Sequence, residues 1–335
     1  MVKSCWKTID PIYEAALELV DDGCTIVFAN SFGHESYLLE AAKECPEVQF
    51  CHATGTMAHT AGVENFHNAF AAIYEGRYLA GVAAGLKLNE LKAEGKLKGE
   101  APLMGYVGAF TYAEVISGYT SFYLGAKSVC PDVTMKVQFT GSWYDEMEEK
   151  SAAQALIDAG CDLISQHADS MGAPTACENA GIPNVSYNGS TVKACPNTFI
   201  VASRIDWAPY FTYIVNQVAA GQAIDTDWTG TIASGSVVLT DVNPIAAAEG
   251  TVEKLAELKA QFEAGTLKVF DTATEGFITV GGAPLSSYTA DVDTDAAFTP
   301  DTEVVSDGYF HESEYRSAPY FDVRIDGIEL INQKF

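Results

Sequence analysis

Basic residues are scarce in this chain: 19 Lys and Arg stand against 45 Asp and Glu, a formal net charge of -26. Nucleic acids and anionic membranes are held by Lys and Arg, so this balance argues against either as a partner. No apolar run reaches the length needed to cross a bilayer. The nucleophile elbow, the Gly-rich phosphate loop of GxGxxG or Walker type and the HExxH metal motif are all missing, which removes the usual local signatures of catalysis. Eight cysteines, at 5, 24, 45, 51, 130, 161, 177 and 195, form no CxxC pair and suit small core residues better than a disulfide framework. Cys51, His52, His59 and His67 come nearest to a zinc set, but their spacing is irregular and a second close pair is lacking. No metal or cofactor is expected. The opening Met1-Val2-Lys3-Ser4-Cys5-Trp6-Lys7 lacks the charged and apolar regions of a secretory signal, and Cys5 has no lipidation context.

What is present is a globular composition, 48% hydrophobic and 19% charged over 335 residues, enough for two domains of ordinary size. The chain also contains a twin. AALELVDDGC begins at Ala15 and AAQALIDAGC at Ala152, 137 positions later. After each comes a short apolar run (Thr25 to Ala29; Leu163 to Ser165) and a polar cluster (Asn30-Ser31-Phe32-Gly33; His167-Ala168-Asp169-Ser170-Met171-Gly172). A Gly after the last helical residue supplies a left-handed cap, and the apolar runs are short enough to be buried parallel strands. The pattern predicts helix, strand, polar loop, helix, strand, twice over. Loops at the carboxyl edge of a parallel sheet are where open α/β folds bind ligands. Two such edges facing each other make a cleft.

Read in order, the chain predicts a strand over 2–7, a helix from Pro11 to Asp22 capped by Asp10, a strand from Thr25 and a helix to Glu44. A strand from Val48 to Ala53 precedes an irregular stretch over 56–68 and a helix from Ala69 to Leu88, whose Gly81, Ala84 and Gly85 suit close packing. The polar run 92–100 separates two lobes. Beyond it the pattern gives strands at Met104–Val107, Thr134–Gln138, near Val185, Phe199–Ala202 and Gly235–Thr240. Helices are expected over 113–128, through the second twin, over 206–220 and over 246–264. The tail from Lys268 reads as hairpins and loops packed on the second lobe.

Several segments resemble the basic membrane protein family, the PnrA-like substrate-binding lipoproteins of ABC importers. They are Asn30-Ser31-Phe32-Gly33, His52-Ala53-Thr54-Gly55, the stretch from Tyr74 to Gly81, Gly105 to Phe110 with Glu114-Val115, Trp143-Tyr144-Asp145, and Gln166 to Ser170. Each is weak alone; six in order between about Gly23 and about Phe270 are specific. The resemblance is closest to the purine-binding branch. It implies an α/β, type I periplasmic-binding-protein fold: two Rossmann-like lobes joined by a hinge, with a ligand cleft between them. On that plan residues 1–102 and 203–233 form the first lobe, and 103–202 and 234–335 the second. The family's signal peptide, lipobox and first strand-helix unit have no counterpart here, so either this sequence omits those residues or the first lobe lacks one edge of its cleft. The resemblance further implies a monomer outside the cytoplasm, anchored as a lipoprotein, that passes a purine base or nucleoside to an ABC permease.

A purine needs flat apolar surfaces for its faces and hydrogen-bonding groups for its edges. Phe32, Phe110, Trp143, Tyr144, Tyr187 and Trp207 are aromatics beside loop polars, although each is also readable as ordinary packing. Trp143, between a strand end and Asp145, is the least explained by core demand. Asp145, His167, Asp169 and Asn188 follow strands of the second lobe and are the edge-reading set; Asp145 and Asp169 are equally readable as helix N-caps. Ser31 and the backbone N–H of Gly33 take the corresponding part in the first lobe. Two other readings stay open. Asp145, His167, Asp169 and Ser170 can be drawn as the acid, base and nucleophile of a nucleoside hydrolase, and the same fold serves cytosolic small-molecule sensors.

Overall fold

The computed structural model describes residues 11–295 and 297–333. The strand expected over 2–7 and the Asp10 cap lie outside those residues. The chain begins with α1 (Pro11–Asp21), β1 (Ile26–Asn30), α2 (Glu35–Glu44), β2 (Gln49–Ala53), β3 (Phe66–Ala71) and the long α3 (Ile73–Ala93). It continues through β4 (Leu103–Gly108), α4 (Ala113–Val129), β5 (Thr134–Phe139), α5 (Glu146–Asp158), β6 (Leu163–His167), α6 (Gly172–Ala180), β7 (Asn184–Tyr187) and β8 (Phe199–Ile205). After these come α7 (Ala208–Ala220), β9 (Asp227–Gly230), β10 (Val237–Leu239) and α8 (Thr251–Glu263).

Two sheets result. The first is parallel throughout, in the order β1-β2-β3-β9. The second runs β10-β8-β7-β6-β4-β5 and ends on a last strand, Ile328–Leu330; β10 alone is antiparallel. Parallel strands fed by helices are covered on both faces, and every residue of β3 and β6 is accordingly buried.

The duplicated segments close their helices in the same way. Leu19 O accepts from Cys24 N at 3.0 Å and Leu156 O from Cys161 N at 3.1 Å. Gly23 at φ 88° and Gly160 at φ 90° make that reversal without a Cβ clash. Strands β1 and β6 then start at equivalent positions, Ile26 and Leu163. Local sequence has thus set two helix stops and two strand starts in register.

Several expectations need correction. The stretch 56–68 is not irregular to its end, because β3 begins at Phe66 and the helix starts only at Ile73. With both faces of β3 buried, no alternation marks it as a strand, and its Ala and Phe read as helix. Strand β9 was unforeseen, and α8 begins at Thr251 because Gly250 takes φ 78°. Helix α3, expected in the first lobe, packs with the second in one core with Tyr106, Phe122 and Val201. The first crossing between sheets therefore falls near residue 72 instead of 102. What draws α3 there is reciprocal glycine contact with α4: a Cβ on Gly81 would lie 2.0 Å from Phe122 O, and one on Gly125 2.0 Å from Tyr78 O.

Cys24, Cys45, Cys51, Cys130, Cys161, Cys177 and Cys195 are free, five of them buried. The three histidines of the nearest zinc set have separate partners. His67 bridges Gln49 and Asp225 O, His59 reaches Asp227, and His52 bonds Ser31 O.

Candidate functional site

A cleft of about 290 Å³ opens between the carboxyl edges of the two sheets. The first sheet contributes Asn30, Ser31 and Phe32 after β1, Thr54 after β2, and Phe70 of β3. Facing them are Trp143 after β5, His167 and Asp169 at β6, Tyr187 and Asn188 at β7, and Glu114 in the first turn of α4. Arg204, Ile205 and Trp207, where β8 passes to α7, close one end. The two twin loops, after β1 and after β6, therefore face one another across the gap.

Backbone conformation marks the same place. Of the five non-glycine residues with positive φ among the described residues, three line the cleft: Ser31 at 154°, Thr54 at 70° and Asn188 at 62°. A β-branched residue at such a φ is a genuine outlier, and strain of this kind persists only where neighbours over-determine it. Here they do. His52 Nε2 sits 2.7 Å from Ser31 O, and burial lowers the His52 pKa, so its neutral ring donates from Nε2 to that carbonyl. Thr54 Oγ1 bonds Ala53 O, while Asn188 Nδ2 donates to Asp169 Oδ1 at 2.9 Å.

The flat surfaces come from both lobes. Phe32 and Trp143 lie parallel, 3° apart in plane with centroids 5.9 Å apart. Phe110 does not line the cleft but supports Trp143 edge-on at 5.2 Å, and Tyr112 packs against Phe32 at 5.4 Å. Trp207 packs at 5.3 Å on Phe28 of β1. Such offset pairs add about 0.5–1.5 kcal/mol beyond area burial.

The polar edge is deeper. Glu114 and His167 are both buried, with Oε1 and Nε2 3.0 Å apart, and the His167 ring lies 4.4 Å from that of Tyr187. Burial, then the nearby Glu114 charge, holds the Tyr187 hydroxyl well above its ordinary pKa, so it stays protonated. Behind Tyr187, buried Arg77 sits 5.2 Å from the ring centroid and donates to Ser165 Oγ at 2.8 Å and Tyr106 Oη at 3.1 Å. The loops are tied together as well: Asp169 N–H donates to Trp143 O at 2.9 Å, and Glu149 of α5 accepts from Ser170 N and Asp145 N at 3.1 Å each.

Of the residues singled out from the sequence, Ser31, Phe32, Trp143, His167, Asp169, Tyr187, Asn188 and Trp207 meet at this cleft. Gly33 falls in the turn Phe32–His34 and does not line it. Tyr144 is 66% exposed outside the cleft. Asp145 is the N-cap of α5, accepting from Met147 N at 3.1 Å and Glu148 N at 3.0 Å. Glu114, Arg204 and Thr54 went unseen as site residues. Glu114 reads as ordinary acidic bias in a first helical turn, and Arg204 sits in a strand.

Two parallel-stranded lobes with strained, polar and aromatic loops facing each other across a gap define the fold of two-lobed solute-binding proteins. A solute-binding protein from Conexibacter woesei DSM 14684 has the same fold, with TM-score 0.62 and 20% identity over 78% of this chain and 84% of its own. Residues 4–266 match the model of the family described as ABC transporter substrate-binding protein PnrA-like. The chain belongs to that family. It is 35% identical over 250 residues to a purine-binding protein of Brucella abortus (strain 2308), covering 74% of this chain and 66% of that protein. It is also 32% identical over 206 residues to Haloferax volcanii TsgA13, whose name describes a glucose-binding protein of an ABC transporter, covering 61% and 49%. The chain thus spans from about half to about two thirds of the length of these relatives.

Proposed function

We propose that this protein is the substrate-binding component of an ABC importer and that it closes on a purine base or nucleoside, with adenine favoured. The observation that carries this reading is the parallel pair Phe32 and Trp143, one ring from each lobe, beside the buried Glu114–His167 pair. A planar heterocycle that parts the two rings from their mutual offset contact and enters between them gains two stacking faces, while its amine and ring N–H groups meet the carboxylates of Glu114 and Asp169. Adenine offers such donors without a further carbonyl to place against the acids. The volume lies at the small end of the ~300–1,000 Å³ typical of ligand pockets, which suits one base or nucleoside.

The mechanism is binding with rotation of the lobes about the three chain crossings near residues 72, 206 and 234. No bond is made or broken. Family membership supports a place outside the cytoplasmic membrane. Among the described residues, no helix is long and apolar enough to cross it. Attachment by a lipid and a monomeric state belong to the same reading; detergent partition and light scattering of the native protein test them.

Calorimetric titration with adenine, adenosine, guanosine, xanthine and glucose decides the ligand. Micromolar or tighter binding of a purine supports the proposal. Silence across all purines, or binding of glucose alone, ends it. Release of free base from adenosine would replace it with the hydrolase.

A further inference from the structure

The family match stops at residue 266, yet the chain beyond it does more than cover the second lobe. Phe270, Phe310 and Phe321 sit in the core shared with α3 and α4, and the last strand extends the second sheet. That much makes the tail part of the second lobe. It also crosses to the first. Glu312 is buried, and its Oε1 accepts from Ser117 Oγ at 2.5 Å, one turn of α4 beyond Glu114 at the cleft. Five residues later Ser317 N–H donates to Asp227 Oδ2 at 2.6 Å, on the edge strand β9 of the first sheet. His59 Nε2 reaches the same oxygen at 3.1 Å, and Thr294 Oγ1 meets Thr56 Oγ1 at 3.0 Å, two residues from Thr54 at the cleft.

This bridge is stiff. Buried Arg316 donates to Ala318 O at 2.9 Å, Pro319 O at 3.1 Å and Asp291 O at 3.4 Å, which fixes the turn just before Ser317 returns to the first sheet. A chain spans at most about 3.3–3.6 Å per residue. Five residues pinned at both ends therefore cap the distance between α4 and β9 unless one pin opens.

We propose that Glu312–Ser317 is a positioning strap that sets the spacing of the two cleft walls, acting as a fourth connection across the hinge. The inference rests on the cleft being the ligand site. Opening far enough to free a ligand breaks the Ser317–Asp227 bond, so the strap favours the closed arrangement and slows ligand escape.

The test uses the full chain and four variants. Ser317→Pro deletes the N–H donor; Ser317→Ala keeps it and removes only a buried hydroxyl that has no partner. Asp227→Ala deletes the acceptor; Asp227→Asn keeps one. Hydrogen exchange over residues 230–237 and X-ray scattering are measured without ligand, and the off-rate is measured with whichever purine binds. Ser317→Pro and Asp227→Ala are expected to raise exchange in 230–237 by about tenfold or more, enlarge the unliganded envelope and speed ligand release by a similar factor. The conservative variants are expected to stay within about twofold on the same measures. Melting temperatures show whether each variant is folded. Exchange that rises evenly through β4 to β8, or unchanged exchange and envelope in both disruptive variants, overturns the strap. If wild type binds no purine, the ligand reading fails, while the exchange and scattering measurements still decide this proposal.

Discussion

Replacing Trp143 by alanine removes one of the two parallel rings and tests the site directly. In the structure its indole lies 5.9 Å from Phe32 at an interplanar angle of 3°, braced by Phe110 at 5.2 Å. Base–aromatic stacking is worth about 1–3 kcal/mol per base, and each 1.4 kcal/mol is about tenfold in affinity. Trp143→Ala should therefore weaken purine binding by roughly 5- to 150-fold. Its neighbour supplies the control, because Tyr144 is 66% exposed and outside the cleft, so Tyr144→Ala should leave affinity within about twofold. Titration calorimetry on both variants, with circular dichroism to confirm folding, reads the difference. Equal effects of the two substitutions, or affinity within twofold for Trp143→Ala, would refute the stacking argument.

Three other outcomes follow from geometry already described. Glu114→Gln keeps the volume but removes a buried anionic acceptor, and hydrogen bonds to charged groups are worth about 1.5–3 kcal/mol, so adenine affinity should fall by roughly tenfold or more by calorimetry. Burial raises both Glu75 and Glu312 from their ordinary 4.5 to about 7. The native state then holds protons that the unfolded state has released, so the contribution of these two groups to stability is greatest below about pH 4.5 and is lost as pH rises through 7, on the order of 3 kcal/mol per group. Scanning calorimetry between pH 5 and 8 should show a melting temperature that falls less, or rises more, with pH in Glu312→Gln than in the wild type, because buried His52 and His67 act in the opposite sense in both; identical slopes contradict the assignment. Gly81→Ala places a Cβ 2.0 Å from Phe122 O, where overpacking costs about 1–3 kcal/mol or more, read as a lower urea midpoint.

Much of this arrangement was legible in the chain because its strongest signals are local. The paired Gly-Cys stops depend on the few residues around Gly23 and Gly160, and they placed β1, β6 and the loops that face each other. Trp143 and Asp169 were visible for a similar reason, since a large aromatic or an acid just after a buried strand has little to do in a core. What stayed hidden depends on distant partners. Strand β3 carries no alternation once both faces are covered, so it passed for the start of a helix. Helix α3 looks the same whichever lobe it joins; only its glycines, meeting Phe122 and Tyr78 across a gap in sequence, decide the matter. Asp145 had two readings of equal local merit, and the backbone amides of Met147 and Glu148 settled it as a cap. The tail's reach to Asp227 depends on contacts about 90 positions apart, beyond any periodicity.

The last strand carries a consequence for synthesis. Phe139 N–H donates to Asn332 Oδ1 at 2.7 Å, and Asn332 Nδ2 donates back to Phe139 O at 2.9 Å, across 193 positions. Until residues 328–332 have emerged from the ribosome, β5 keeps a naked edge, and such edges invite pairing with other polypeptides. Contacts this remote in sequence are also slow to form. On the proposed reading, in which the protein works outside the cytoplasmic membrane, that delay would favour export, because the chain would reach the translocation machinery before its larger sheet is completed.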